Sequence, residues 1–157
     1  MSKTISSVPQ IIMYNKDDIS TEIPDYVEEA IKKVSSGKGR HDLPERLVVT
    51  VAPYIYTKIP LTPDLLVHEC QHFHQQGAGL DDKKCKEWWK RYGEDGDFRY
   101  EQELEAYQVQ YNYMKPQHDR HTIFAFAKNL ASILTGGLYG TGYSYAQAVF
   151  DIINKKR

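Results

Sequence analysis

Hydrophobic and polar positions in the first sixty residues favour two strand segments separated by one helix. Residues 9–14 suit a short strand, and Pro24 to Ser35 has the spacing of an amphipathic helix. Leu47 to Ile59 is rich in β-branched and aromatic residues, which favours one long strand or a hairpin. Pro53 would then mark a bend or a strand edge, because proline cannot donate a hydrogen bond to a neighbouring strand.

The pattern becomes helical after residue 60. Thr62-Pro63-Asp64 is a helix start, with a hydroxyl cap, proline at the first helical position and an acid in the first turn, and Gly77 and Gly79 close this helix. Further helices are predicted at 83–92, 97–111, 122–134 and 145–154. The order of elements predicts an α+β fold, in which a small sheet packs on the helix after Thr62 and several helices follow.

The helix after Thr62 carries His68-Glu69-Cys70-Gln71-His72. Residues four apart on a helix lie about 40° apart around its axis, so both imidazoles can reach one metal ion. Glu69 lies on the same side, where it can contact a metal-bound water without being a ligand. The helix would bury its opposite, apolar side and present the three polar residues to a cleft; the apolar side is formed by Leu66, Val67, Cys70 and Phe73. This arrangement is typical of a zinc hydrolase.

His74 and Cys70 also lie on this helix, but each is predicted to have a structural role and not to bind a metal. His74 faces away from His68 on the same helix, which predicts a core or interface histidine. Cys70 is predicted to be a small buried hydrophobe, and with Cys85 as the second of only two cysteines no disulfide framework is indicated.

The third metal ligand is predicted to be Glu103, on the helix at 97–111. Glu103 lies beside an apolar and aromatic stripe that includes Tyr100 and Tyr107, whereas Glu101 and Glu105 fall on the opposite side of the helix. A carboxylate on an inward face needs a metal or a cation to offset its desolvation. The alternative is a buried glutamate paired with Arg99 or with a tyrosine hydroxyl.

Two imidazoles and one carboxylate suit one zinc ion per chain, with a water in the fourth position. Zinc lowers the pKa of such a water towards about 7, and Glu69 would then act as general base and afterwards as the acid that protonates the leaving amine. Candidates for stabilising the oxyanion remain open: Tyr107, Tyr111, Tyr143, Tyr145, His118 and His121.

The composition agrees with one small domain spanning residues 1–157. Lys and Arg number 20 against 21 for Asp and Glu, so no basic surface is indicated and nucleic-acid binding is disfavoured. No apolar run is long enough to cross a membrane, and no signal segment is recognised. We therefore expect a cytoplasmic protein, or one carried in a larger assembly by an unknown partner.

The chain resembles the gluzincin metallopeptidases, the thermolysin-like clan, in a minimal single-domain form. His68-Glu69-x-x-His72 and the later Glu103-x-x-Ala106 carry the resemblance, over about residues 45–115, and residues 116–157 would form a helical C-terminal part. The chain is also similar to small putative peptidases of phage and bacterial genomes. The resemblance implies a zincin-like fold, a peptide or protein substrate, zinc held by His68, His72 and Glu103, and Glu69 as the catalytic base. It also implies a sheet edge between Val48 and Tyr56 along which an extended substrate can bind; the alternative is an internal strand with no role in substrate binding.

One position departs from the family. The family often has an aspartate four residues after the ligand glutamate, where it orients the first histidine, but this chain has Tyr107 there. We expect Asp64 or a backbone carbonyl to take that role, or the metal to be held less firmly.

Three further features and two rival functions stay open. Of Trp88 and Trp89, one is expected in the core and the other at the cleft or surface. The acidic loop 93–97 favours a simple turn over a calcium site, and the polar loop 116–121 favours surface over a second metal. The rival functions are a non-catalytic metal-binding structural protein, such as a virion component, and a cell-wall peptidase or amidase with the same zinc chemistry.

Overall fold

The computed structural model describes residues 8–14, 23–35, 48–136 and 142–154. Within these ranges three strands form one sheet in the order β1-β3-β2, with β1 at Gln10–Met13, β2 at Val48–Val51 and β3 at Tyr54–Thr57. β1 runs parallel to β3, and β2 is antiparallel to it. The predicted short strand and the hairpin alternative are confirmed, and the hairpin turns at Ala52 and Pro53.

The helices of the described ranges follow the predicted order. They are α1 (Asp25–Ser35), α2 (Pro63–Gln75), α3 (Asp82–Glu94), α4 (Gly96–Met114), α5 (Arg120–Thr135) and α6 (Tyr145–Asn154), with a 3-10 turn at Lys115–Gln117. The α+β class is therefore confirmed. None of these helices combines the length and apolar character that a membrane span requires.

The boundaries of the helices have local causes. Gly77 and Gly79 adopt φ of +92° and +76° just after α2, a region that L side chains rarely adopt, so the helix ends there as predicted. Asp81, Asp95 and Asp119 accept hydrogen bonds from backbone N–H groups at the starts of α3, α4 and α5.

The buried apolar side chains form two clusters. One joins the sheet, α1 and α3 and contains Trp88, Trp89 and Tyr92. The other joins α4, α5 and α6 and contains Tyr100 and Tyr107. Helix α2 packs on α4 and also contacts β2, so its polar side faces one element from each of the two clusters.

Two expectations about α2 are wrong. Its histidines and Glu69 were expected to face a cleft, but His68, Glu69 and His72 are only 5%, 8% and 5% exposed because α4 and β2 cover that side of the helix. On the apolar side Phe73 is fully buried, while Leu66, Val67 and Cys70 are only half-buried.

The core interpretation of His74 and a surface position for one of the two tryptophans are both wrong. His74 is exposed and packs edge-on against Phe73, so it is not a core histidine. Trp88 and Trp89 are both buried, because they contact each other at 5.0 Å between ring centroids and the first cluster surrounds both.

Candidate metal centre

Helix α2 places the two histidines of the motif one turn apart. The Nε2 atoms of His68 and His72 lie 3.2 Å from each other, and their rings meet at 79°. Proline at the first turn and an extended Thr62 before it fix where the helix starts, so the spacing of four residues becomes a shared direction for both rings. Two nitrogen atoms this close can share one ion.

Helix α4 brings Glu103 to the same point. One carboxylate oxygen lies 3.3 Å from His68 Nε2, and the other lies 3.3 Å from His72 Nε2. Glu103 is only 4% exposed. Within the described residues, these three are the one group of three or more potential ligands whose atoms lie within 4.8 Å of one another. The loops at 93–97 and 116–121 therefore show no second group of this kind.

The two oxygens of Glu103 have different surroundings. Oε1 accepts a hydrogen bond of 2.9 Å from the hydroxyl of Tyr92. Oε2 is buried and faces His68 Nε2 at 3.3 Å, and no other group in the described part of the chain donates to it. When that ring nitrogen carries no hydrogen, the buried oxygen is left without a donor, which is unfavourable, and a cation between Glu103 and the histidines would satisfy it. The donor set and this unsatisfied oxygen fit a metal ion.

The pKa values of His72 and Glu103 are shifted because these ionisable groups are buried close to one another. Burial lowers the pKa of His72, but the opposing effect of Glu103 and Glu69 is larger and raises it to about 9. Burial raises the pKa of Glu103, yet the two histidines outweigh that effect and hold it well below its usual range. Glu103 is therefore ionised, and its negative charge lies against the Nε2 atom of each histidine.

Glu69 lies next to this group but is held by the sheet. The hydroxyl of Thr50, on β2, donates a hydrogen bond of 2.6 Å to Glu69 Oε2. Thr50 is 2% exposed, so water does not compete for this bond. Glu69 is thus oriented by a neighbour on another element and does not belong to the three-residue group.

A glutamine holds the outer nitrogen of His68. Gln110 Oε1 lies 3.1 Å from His68 Nδ1, and the amide nitrogen of Gln110 donates to Asp64 at 2.7 Å. Partial burial raises the pKa of Asp64, but hydrogen bonds from Thr62, Gln110 and nearby backbone amides outweigh it, and the net pKa lies below its usual range. Asp64 therefore reaches His68 through Gln110.

A second glutamine does the same for His72. Gln75 Oε1 lies 2.8 Å from His72 Nδ1, and its amide nitrogen donates to the backbone carbonyl of Gln102 at 3.0 Å. With both Nδ1 atoms engaged, the Nε2 atoms are the ones that face Glu103. The backbone carbonyl expected near the histidines is present, but it acts at His72 and through Gln75.

Aromatic side chains close the sides of the group. The ring of Tyr107 lies 4.4 Å from that of His68, and the ring of Trp88 lies 5.6 Å from that of His72. Tyr107 therefore covers the histidine that an aspartate at its position would bind. Of the other oxyanion candidates, Tyr111 is buried in the second cluster, Tyr143 donates to Asp97 and Tyr145 is exposed, as are His118 and His121.

Sequence reasoning missed Tyr92, Gln110, Gln75 and Thr50. Gln110 follows Glu103 by two helical turns on the same face, so its position was visible on the helical wheel, but an amide carries no charge that would mark it. Glu101 is exposed as expected, while Glu105 is half-buried and accepts a hydrogen bond from Gln71. Glu103 does pair with a tyrosine hydroxyl, the arrangement considered as the alternative to metal binding, but through one oxygen only.

The outer edge of β2 is partly occupied. Gln76 is fully buried, and its amide donates to Thr50 O at 2.8 Å and accepts from Ala52 N at 2.9 Å. These are the backbone groups that an added strand would use at this end of β2. An extended substrate cannot pair with Thr50 and Ala52 while Gln76 holds them.

Comparisons of the chain with models of protein families, with curated proteins and with solved structures give no match.

Proposed function

We propose that the chain is a zinc-dependent hydrolase that cleaves peptide bonds, of minimal gluzincin type and with a zincin-like arrangement of sheet and helices. His68, His72 and Glu103 are the metal ligands, and Glu69 is the catalytic base. The observation that carries the proposal is the convergence of two Nε2 atoms on a buried carboxylate whose Oε2 has no donor among the described residues other than the His68 ring nitrogen.

The choice of zinc rests on donor type and spacing. Zinc accepts imidazole nitrogen and carboxylate oxygen at about 2.0–2.2 Å, and in a tetrahedron of such bonds the donor atoms are about 3.3–3.5 Å apart. The nitrogen–nitrogen distance is 3.2 Å, and each nitrogen lies 3.3 Å from a carboxylate oxygen. The two contacts end on different oxygens of Glu103, and all the ligand atoms lie within 4.8 Å of one another, which is close enough for one ion.

The number of ligands supports catalysis over a purely structural metal. Structural zinc sites have four protein ligands as a rule, whereas catalytic sites have three and leave one position to water or substrate. The group has three members in the part of the chain that the structure describes. A non-catalytic metal-binding protein is the second candidate, and the near-complete burial of all three ligands favours it.

The residues around the site have distinct parts in the proposed reaction. A zinc ion bound here would activate water and polarise the scissile carbonyl. Glu69 takes a proton from the attacking water and returns it to the leaving amine. Thr50 donates to Glu69 Oε2 and so fixes the orientation of the carboxylate. Of the candidates for stabilising the oxyanion, Tyr107 is the one whose ring packs on a proposed metal ligand, His68.

Replacing Glu69 with Gln tests the proposal. Zinc content after dialysis, measured by mass spectrometry, should remain about one per chain, while cleavage of a peptide library should fall by about 100-fold or more, since the base is lost. Glu101→Gln is the matched control, because Glu101 is exposed on α4 and should leave both quantities unchanged.

The outcomes separate the candidate functions. A wild-type protein that binds zinc but cleaves neither peptides nor peptidoglycan would support the structural candidate. Cleavage of peptidoglycan alone would support a cell-wall peptidase or amidase. A wild-type protein that retains less than a tenth of a zinc per chain and does not recover on adding zinc would contradict the metal site.

A further inference from the structure

The hydrogen-bond partners of His68 indicate which of its two ring nitrogens carries a hydrogen. This cannot be read from the positions of the heavier atoms alone. The amide of Gln110 lies between the imidazole and Asp64, with Oε1 3.1 Å from His68 Nδ1 and Nε2 2.7 Å from Asp64 Oδ2. Gln110 is only 2% exposed, so water does not replace either contact.

An ionised carboxylate only accepts hydrogen bonds, and an amide has one accepting and one donating end. Asp64 therefore requires the NH2 group of Gln110 on its side, which turns the amide oxygen towards His68. A carbonyl oxygen facing Nδ1 in turn requires a hydrogen on Nδ1. In the neutral imidazole, this leaves the lone pair on Nε2, the atom that faces Glu103.

The same logic applies at His72. Gln75 donates to the carbonyl of Gln102, which can only accept, so its own oxygen faces His72 Nδ1. Both relays end in a group that cannot donate, and both leave Nε2 directed at one point. The two relays differ in one respect: the relay at His68 ends in a charge.

We propose that Asp64 and Gln110 form a positioning relay that fixes His68 as the Nδ1-protonated tautomer and so prepares its Nε2 to bind the metal. Neither residue touches the metal or the substrate. The inference rests on the proposed metal site, and it names the residues that replace the aspartate absent at position 107.

The decisive variants change which end of the amide is constrained. In Asp64→Asn the new side chain can donate as well as accept, so Gln110 is free to turn and the charge is lost. In the double variant Asp64→Asn with Gln110→Glu, a carboxylate faces His68 Nδ1 directly and accepts from Asn at position 64. The double variant restores the constraint, with the negative charge now on residue 110, next to His68, and no longer on residue 64.

Zinc affinity, measured by competition with a chromophoric chelator, should fall about tenfold or more in Asp64→Asn, the size typical for partners of metal-binding histidines. The double variant should recover wild-type affinity or exceed it. Asp97→Asn is the control, because Asp97, like Asp64, is an acid in the first turn of its helix but contacts Tyr143 instead of Gln110. It should leave zinc affinity unchanged.

The tautomer is read separately from long-range proton–nitrogen correlation spectra of the His68 ring, with and without zinc. The wild type and the double variant should carry a hydrogen on Nδ1, and Asp64→Asn should show a changed Nδ1 signal. Equal zinc affinity in wild type and Asp64→Asn would overturn the relay, as would a loss that the double variant does not recover.

Failure of the metal site itself would look different. If the wild type binds no zinc, the proposed function fails, while the spectra of the metal-free protein still decide the relay: an unprotonated Nδ1 in the wild type overturns it, and a protonated Nδ1 that changes in Asp64→Asn supports it.

Discussion

Tyr92→Phe tests whether Glu103 is a buried charge that depends on its one hydroxyl donor. The variant removes the 2.9 Å hydrogen bond to Glu103 Oε1 and keeps the ring, which stacks on Trp88 at 4.9 Å between centroids. Both residues are buried, so water is a poor replacement for the lost donor.

The expected loss follows from the charge on the acceptor. A hydrogen bond to a charged group contributes about 1.5–3 kcal/mol to the free energy of unfolding. For a protein of this size, such a loss lowers the melting temperature by roughly 3–12 °C. The effect should be largest in the metal-free protein, in which no ion offsets the charge of Glu103.

Urea unfolding of metal-free wild type and variant, followed by circular dichroism, measures the loss directly. Tyr143→Phe is the matched control: its hydroxyl also donates to a carboxylate, at 3.0 Å, but Asp97 is exposed. Its removal should cost at most about 0.5 kcal/mol, because water can replace the donor at an exposed acceptor. A loss below about 0.5 kcal/mol in Tyr92→Phe would refute the view that Glu103 is a buried, ionised group.

Two further predictions follow from contacts of the site with its surroundings. Glu103→Ala removes a ligand and should reduce zinc affinity, measured by chelator competition, by more than the about 10–100-fold typical of partners that only orient a ligand. Glu101→Ala should not change it, and an equal loss from both would contradict the assignment of the inward face of α4. Gln76→Ala leaves the buried N–H of Ala52 and the carbonyl of Thr50 without their partner, so unfolding in urea should show a loss of about 2–5 kcal/mol. Gln117→Ala is the control, since its exposed amide contacts only Tyr113 O among the hydrogen bonds described, and a similar loss from both changes would refute the importance of the buried edge contacts.

The local parts of the site could be predicted from residue spacing and helix signals alone. The spacing of His68 and His72 fixes their common direction once the segment is helical. Pro63 and the glycines after Gln75 define that helix, although the Thr62 hydroxyl does not form the expected cap. The helical wheel of α4 likewise separates Glu103 from the exposed Glu101, because both lie on one regular element. The α+β order of elements could also be predicted, because each strand and helix has its own local pattern of hydrophobic and polar residues.

The surroundings of these residues depend on how distant elements pack together. Gln110 and His68 are 42 positions apart, Thr50 and Glu69 are 19 apart, and each pair meets because two elements pack together. The polar side of α2 is buried, contrary to its amphipathic pattern, since α4 and β2 cover it. Periodicity reports which side chains share a face, but the element that packs on that face is set by long-range contacts, which no short segment of sequence encodes.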